Sequence, residues 1–265
     1  MLVQEKPSVI KTYEATFPFQ SGHLMGFIEY LNSITFRFIK PLTPWFPLSP
    51  AAFTPWRRFG TFLESFNTVI PSREWESKQN LRKMCNIPRM STLAIGALIN
   101  KGVSQMPEDE SFVNVGVWHG FTLLSGMVNN AEKRCIGVDN FSEFGNPEQA
   151  FLNRFDTYKK SNHFFYEIDY LDYFSSIHQE KIGFYIYDGC HDYNNQIRGL
   201  KVAEPFFSQN AIILIDDINY DDVRKATMDF IDASSYEYKV LFEASTYCNH
   251  HPTFWNGVML LQIVN

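Results

Sequence analysis

Closely spaced cysteines are missing from this chain. Its four, Cys85, Cys135, Cys190 and Cys248, form no CxxC pair in 265 residues. That argues against structural zinc and a disulfide scaffold and predicts free thiols in a reducing compartment. Positive charge is not in excess either. The formal net charge is −6 and the pI about 5.6, which speaks against a nucleic-acid or anionic-membrane surface. The most apolar helix-like stretch, "STLAIGALIN", is too short to span a bilayer. The start, "MLVQEKPSVIKTYEATF", lacks the positive-then-apolar order of a secretory signal. The expectation is a cytoplasmic protein that works on small molecules, with no nucleic-acid or membrane partner and with homo-oligomerisation left open.

What is present is aromatic. The chain has 25 Phe and 13 Tyr, and 45% of its residues are hydrophobic, enough for a substantial core in one large domain. Ten of the thirteen prolines fall in residues 1–107, five of them between Pro41 and Pro55 beside Trp45, Phe46, Phe53 and Trp56. Solvated linkers rarely carry so much aromatic area, so this stretch reads as irregular but packed: a belt on the flank, or a cap over a pocket. "NLRKMCNIPRMSTLAIGALINKG" has helical spacing broken near Pro88, with Gly102 expected as the stop. These features place a boundary near 106, with a Pro- and aromatic-rich helical extension over 1–106 and the main domain over 107–265.

From residue 111 short β-rich runs alternate with helix-length intervals, the signature of βαβ units. The runs are 112–115, 135–138, 164–168, 183–187, 211–215 and 238–244, and a seventh, 257–264, follows the sixth without room for a crossover helix. The last pair should therefore be antiparallel. The fold expected is α/β, a mostly parallel sheet with helices on both faces and a closing antiparallel hairpin.

Chemistry gathers at the carboxyl ends of these runs, where open parallel sheets bind ligands. In "NVGVWHGFT", Gly116 and Gly120 bracket the turn into a helix starting near Phe121, suited to the approach of an anionic group. A third glycine in phase is absent, so this is not the GxGxxG dinucleotide fingerprint. Asp139 ends the second run, where an acid can accept hydrogen bonds from ribose hydroxyls or cap a helix. Asp188 ends the fourth, and Asp216 with Asp217 ends the fifth. Three carboxylates meeting there would suit a hard cation such as Mg²⁺, Mn²⁺ or Ca²⁺, unless one caps a helix and another is solvated.

The stretch "FYIYDGCHDYNNQIRGLKVAEPFFSQNAIILIDDI" resembles the class I S-adenosylmethionine-dependent methyltransferases, in particular the macrocin-type and catechol-type metal-dependent O-methyltransferases. The resemblance covers residues 111–264. It implies a Rossmann-like seven-stranded sheet in the order 3-2-1-4-5-7-6 and transfer of a methyl group from S-adenosylmethionine to a hydroxyl of a small acceptor. By position it implies that Gly116 and Gly120 cradle the methionine part of the cofactor and that Asn114 and Thr122 also belong to the cofactor site. Asp139 would hold the ribose, Asp169 would sit near the adenine, Asp188 would border the cofactor, and Asp188, Asp216 and Asp217 would hold the metal. His191 is the first candidate for the base that takes the acceptor's proton, with Asp192, His250 and His251 behind it. The sequence departs from the family at Asn114 and Cys190, where an acid is usual. A nucleotide-cofactor oxidoreductase is the competing reading on a similar sheet, and a non-catalytic binding relative is another.

Overall fold

The computed structural model of the protein describes residues 11–12, 22–37 and 57–264. The proline-rich stretch with Trp45, Phe46, Phe53 and Trp56, and with it the cap reading, lies outside the described residues. The amino-terminal part contributes β1 (Lys11–Thr12), α1 (Gly22–Ser33), β2 (Thr35–Phe36), α2 (Arg57–Asn67), β3 (Thr68–Val69), α3 (Trp75–Met84) and α4 (Leu93–Gln105). The strands and helices that follow alternate. They are β4 (Glu110–Val115), α5 (Phe121–Met127), β5 (Arg134–Asp139), α6 (Glu148–Tyr158), β6 (His163–Glu167), α7 (Tyr170–Ser176), β7 (Lys181–Tyr187), α8 (Tyr193–Ala203), β8 (Phe207–Asp216), α9 (Asp221–Ala233), β9 (Tyr238–Ala244) and β10 (Val258–Ile263).

The main sheet runs β1-β9-β10-β8-β7-β4-β5-β6. Counted from β4, its seven long strands stand in the expected order 3-2-1-4-5-7-6, and β1 adds a two-residue strand on the edge of β9. Strands β4 to β8 pair in parallel, while β10 is antiparallel to both β8 and β9. The central strands are buried on both faces because each alternates between two cores. Phe112, Phe184, Ile186 and Leu214 face a layer with α4, α5 and α6, while Val113, Tyr185, Ile213 and Ile215 face one with α7, α8 and α9. Burial of this apolar area supplies the main stabilisation.

Gly102 does not stop α4, which runs on to Gln105. Its role is close packing: a Cβ at that position would stand 2.1 Å from Cε2 of Phe184 in β7. The helix begins where Thr92 accepts a hydrogen bond from the Ile95 N–H, and Leu93 donates its N–H to Glu64 of α2 at 2.8 Å. Glu64 also takes both of its oxygens to Arg89 Nη2 at 3.0 Å, with both side chains fully buried. This pair sews the loop 86–92 to α2. Loop 86–92 is in turn tied to the connection between β9 and β10, through Thr92 Oγ1 to the Thr253 carbonyl at 2.5 Å.

Glu64→Gln leaves Arg89 as an uncompensated buried cation, so stability in urea denaturation should fall by roughly 3–5 kcal/mol. A loss below about 1 kcal/mol would mean that the pair does not hold the loop.

Candidate functional site

Two loops are brought together at the strand tips by backbone, not by side chains. Gly116, after β4, adopts a φ of +76°, and a Cβ there would lie 2.0 Å from the carbonyl oxygen of Asp188. The Asp188 N–H donates to the Val115 carbonyl, and the Gly116 N–H to that of Val138, both at 2.8 Å. Only glycine permits this approach. Asp139, at the tip of β5, completes the turn by accepting from the N–H groups of Val117 (2.8 Å), Trp118 (2.9 Å) and Phe141 (2.8 Å). It is not the cap of the next helix, which starts after Pro147.

Two cavities meet here. The first, about 220 Å³, is lined by Gly116, Asp139, Asp169, Tyr170, Tyr187 and Asp188, among others. The second, about 350 Å³, is lined by Thr122, His191, Asp216, Asp217, Trp255 and the segment from Pro88 to Ser91, among others. Trp118, Glu143, Phe144, Asp188, Gly189 and Cys190 line both. The indole N–H of Trp118 donates to the Phe144 carbonyl at 3.0 Å and links the two loops over this shared wall.

The residues expected from the sequence divide between these spaces. Gly116, Asp139, Asp169 and Asp188 line the first cavity, and Asp169 also caps α7 by accepting from Leu171 at 2.8 Å. Thr122 lines the second cavity instead. Gly120 caps α5 with a φ of +95° and packs against Phe151, and neither it nor Asn114 is among the lining residues of either cavity. Buried Asn114 turns its amide N–H groups to the carbonyls of Val115 and Gly116 at 3.2 and 3.1 Å.

The carboxylates do not assemble as a metal cage. Among the described residues no three His, Cys, Asp or Glu groups are grouped so that they could hold a metal ion. Instead the His191 ring comes between two of them, its Nε2 3.5 Å from Asp188 Oδ1 and 3.6 Å from Asp217 Oδ2. The donor chemistry suits a hard cation and Asp217 Oδ1 is buried without a partner, while the His191 ring occupies the space between Asp188 and Asp217.

The electrostatics follow from this crowding. Burial first, then the charges of Asp217 and Asp188, pushes the Asp216 carboxyl well above its ordinary range. Asp217 is raised from 3.8 to about 6, by burial and by Asp188, against the lowering influence of His191 and Asn256. Burial opposes charge on His191, but the hydrogen bond and charge of Asp188, with the charges of Asp217 and Glu143, outweigh it and raise its pKa. The other base candidates have structural duties. Asp192 caps α8 through Asn194 and Asn195, and those bonds hold its carboxyl near 2. His251 is fully buried, accepts from the Thr253 N–H, and is lowered by burial to about 4. His250 lines the second cavity with its ring 4.7 Å from that of Trp255.

Sequence reading missed Glu143 and Phe144 on the shared wall and Arg89 and Met90 on the far side of the second cavity. The Asn- and Gly-bearing "NFSEFGN" directly after the Asp139 strand tip was a usable signal for the first two. Nothing local marks Arg89.

Residues 113–218 match the family described as "Methyltransferase domain". The matched stretch contains both Asp139 and the Asp216–Asp217 strand end. No curated protein matches the chain in sequence. Solved structures similar to it share the fold at low identity. Cofactor-bound Rv0187 from MTB is 12% identical with a TM-score of 0.53, over 78% of this chain and 96% of that one. A protein from Klebsiella pneumoniae assigned as an O-methyltransferase is 13% identical with a TM-score of 0.52, over 74% and 91%. The O-methyltransferase NovP is 13% identical with a TM-score of 0.51, over 65% and 81%. The class I methyltransferase fold expected from the sequence is therefore the fold of this chain. Among the described residues no helix is long and apolar enough to cross a membrane.

The strand end at Asp217 carries a testable pH dependence. With a folded pKa of about 6 against 3.8, protonated Asp217 favours the folded state. That contribution is full below about pH 4 and is lost as pH rises through about 6. Asp217→Asn should therefore stabilise the protein by roughly 1–3 kcal/mol at pH 7 and by little at pH 4, in thermal melts run with EDTA. Equal effects at both pH values would contradict the burial of a charged Asp217.

Proposed function

We propose that the protein transfers a methyl group from S-adenosylmethionine to a hydroxyl of a small acceptor. One observation carries the reading: two cavities of molecular size share a wall at Asp188, Gly189 and Cys190, so a donor in one can face an acceptor in the other. The first cavity takes the donor, with Gly116 open to its methionine part, Asp139 toward the ribose hydroxyls and Asp169 toward the adenine. The second takes the acceptor.

In-line displacement needs the acceptor oxygen, the methyl carbon and the sulfonium sulfur on one line, and most of the rate then comes from positioning. The carbon–oxygen bond forms as the carbon–sulfur bond breaks, S-adenosylhomocysteine leaves, and the hydroxyl proton must go to a base. His191 is that base. Its Nε2 carries the N–H toward Asp188 and Asp217 at the acceptor cavity, which leaves Nδ1, without a hydrogen-bond partner, as the nitrogen that accepts the proton, and these carboxylates stabilise the imidazolium that forms. Cys190 is a poor substitute, because its hydrogen bond to Asp192, followed by burial, raises its thiol pKa.

A second reading, metal assistance, rests on the partnerless buried oxygen of Asp217. In it, Asp188, Asp216 and Asp217 would hold a divalent cation, which would polarise the acceptor hydroxyl.

Calorimetry with S-adenosylmethionine, with NAD as control, tests the donor assignment. Micromolar binding of the methyl donor is expected, lost in Gly116→Ala because the added Cβ meets the Asp188 carbonyl. Binding of NAD alone would overturn the reading. Once an acceptor is in hand, His191→Gln should lower kcat about 10²- to 10⁴-fold with donor affinity kept. Wild-type kcat should rise with pH through the raised pKa of His191, since the base works deprotonated. Turnover abolished by EDTA and restored by Mg²⁺ would select the second reading.

A further inference from the structure

The charge on the walls of the second cavity restricts what can enter it. We infer that the acceptor is a hydroxylated amine carrying no phosphate, sulfate or carboxylate. This rests on the reading of that cavity as the acceptor site.

Four carboxyl groups line the cavity, Asp188, Asp216, Asp217 and Glu143, and with burial favouring the neutral form of Asp216 the other three still leave the acids in excess. Among the described residues only one Arg or Lys does so, Arg89. Its charge is already spent on Glu64, whose two oxygens stand 3.0 Å from Nη2 with both side chains fully buried. Its Nη1 donates to the Cys85 carbonyl. Among the described residues an anionic acceptor group would therefore find no free guanidinium or ammonium, and would sit against like charge in a partly desolvated space. Either a protonated His191 or a bound divalent ion still leaves the acids in excess.

An ammonium is favoured by the same walls. The buried Asp217 Oδ1 has no hydrogen-bond partner, and its side chain is only 12% exposed. Aromatic faces surround the opening as well: Phe144 and Tyr220 are exposed, Trp118 lies between the cavities, and Trp255 forms the inner wall. Rings of this kind attract a cation placed over their faces. Neutral hydroxyls gain nothing from the net charge, so charge ranks the candidates.

A matched trio tests this: dopamine, its uncharged analogue ethylcatechol and its carboxylate analogue dihydrocaffeate, titrated into the protein loaded with S-adenosylhomocysteine. Dopamine should bind tightest and dihydrocaffeate weakest, the extremes differing by on the order of tenfold or more at low salt and converging as salt is added. Glu143→Lys, at an exposed position, should narrow or invert the gap. Dihydrocaffeate binding as well as ethylcatechol, dopamine gaining nothing over ethylcatechol, or an unchanged order in Glu143→Lys would each overturn the inference. So would no binding of any of the three by protein that binds S-adenosylhomocysteine. Failure to bind S-adenosylhomocysteine itself is a different result, since it removes the donor assignment.

Discussion

Everything at the strand tips depends on one backbone contact, Gly116 against Asp188. Parallel strands β4 and β7 are neighbours, so their following loops leave the sheet side by side, and side chains would normally keep them apart. A glycine in the left-handed region removes that spacer. The chain after β4 then lies directly on the chain after β7, with Asp139 holding the turn by three N–H bonds. Because the loops touch, the "DGCHDY" segment becomes a partition, with one cavity on each side. Two cavities on a common wall are thus a consequence of sheet topology plus one residue without a side chain.

The partition carries a cost that the remainder of the fold offsets. Asp216 and Asp217 are about nine-tenths buried or more, next to one another at the end of a strand whose preceding residues are aliphatic. Asp217 is further held at a φ of +58°, a conformation that non-glycine residues seldom adopt. Such a tip persists only where the surrounding structure over-determines it. Here Val258 of β10 pairs with Asp216, the Asp217 N–H closes on Asp216 Oδ1 at 2.9 Å, and the strand beneath is packed on both faces. Strain and unfavourable charge collected at one point, inside an otherwise apolar sheet, are the usual mark of a site kept for chemistry and not for stability.

How much of this was legible in the sequence follows from the range of the interactions involved. The seven long strands could be read because each is a run of aliphatic and aromatic residues closed by a polar tip, and burial on both faces leaves little else for such a run to be. Their lateral order came from the resemblance, since nothing in a single strand names its neighbour. Gly102 was misread because a glycine near a helix end looks the same whether it terminates the helix or admits Phe184, a residue some eighty positions away. Asp192 was legible as an acid near the site but not as a helix cap, because capping depends on where α8 begins. That the expected metal triad is not grouped among the described residues has a similar reason: proximity of three strand tips follows from topology, whereas the insertion of the His191 ring between two of them is a matter of side-chain packing.

The two cavities also differ in what builds them, and that explains why one was readable and the other was not. The first cavity is made from the loops directly after β4, β5, β6 and β7, so every contributor stands at a predictable place, one residue or a few beyond a recognisable strand. The second cavity draws on segments outside that rule: Pro88 to Ser91 ahead of α4, and His250, Trp255 and Asn256 from the connection between β9 and β10. These two segments reach the cavity only because Thr92 bonds to Thr253 and Arg89 to Glu64. Both contacts join residues far apart in the chain, and neither leaves a local pattern. A sheet of this kind can keep the loops of the first cavity while the walls of the second are exchanged, so under the proposed function the class of acceptor has to be argued from the balance of charges and rings on those walls.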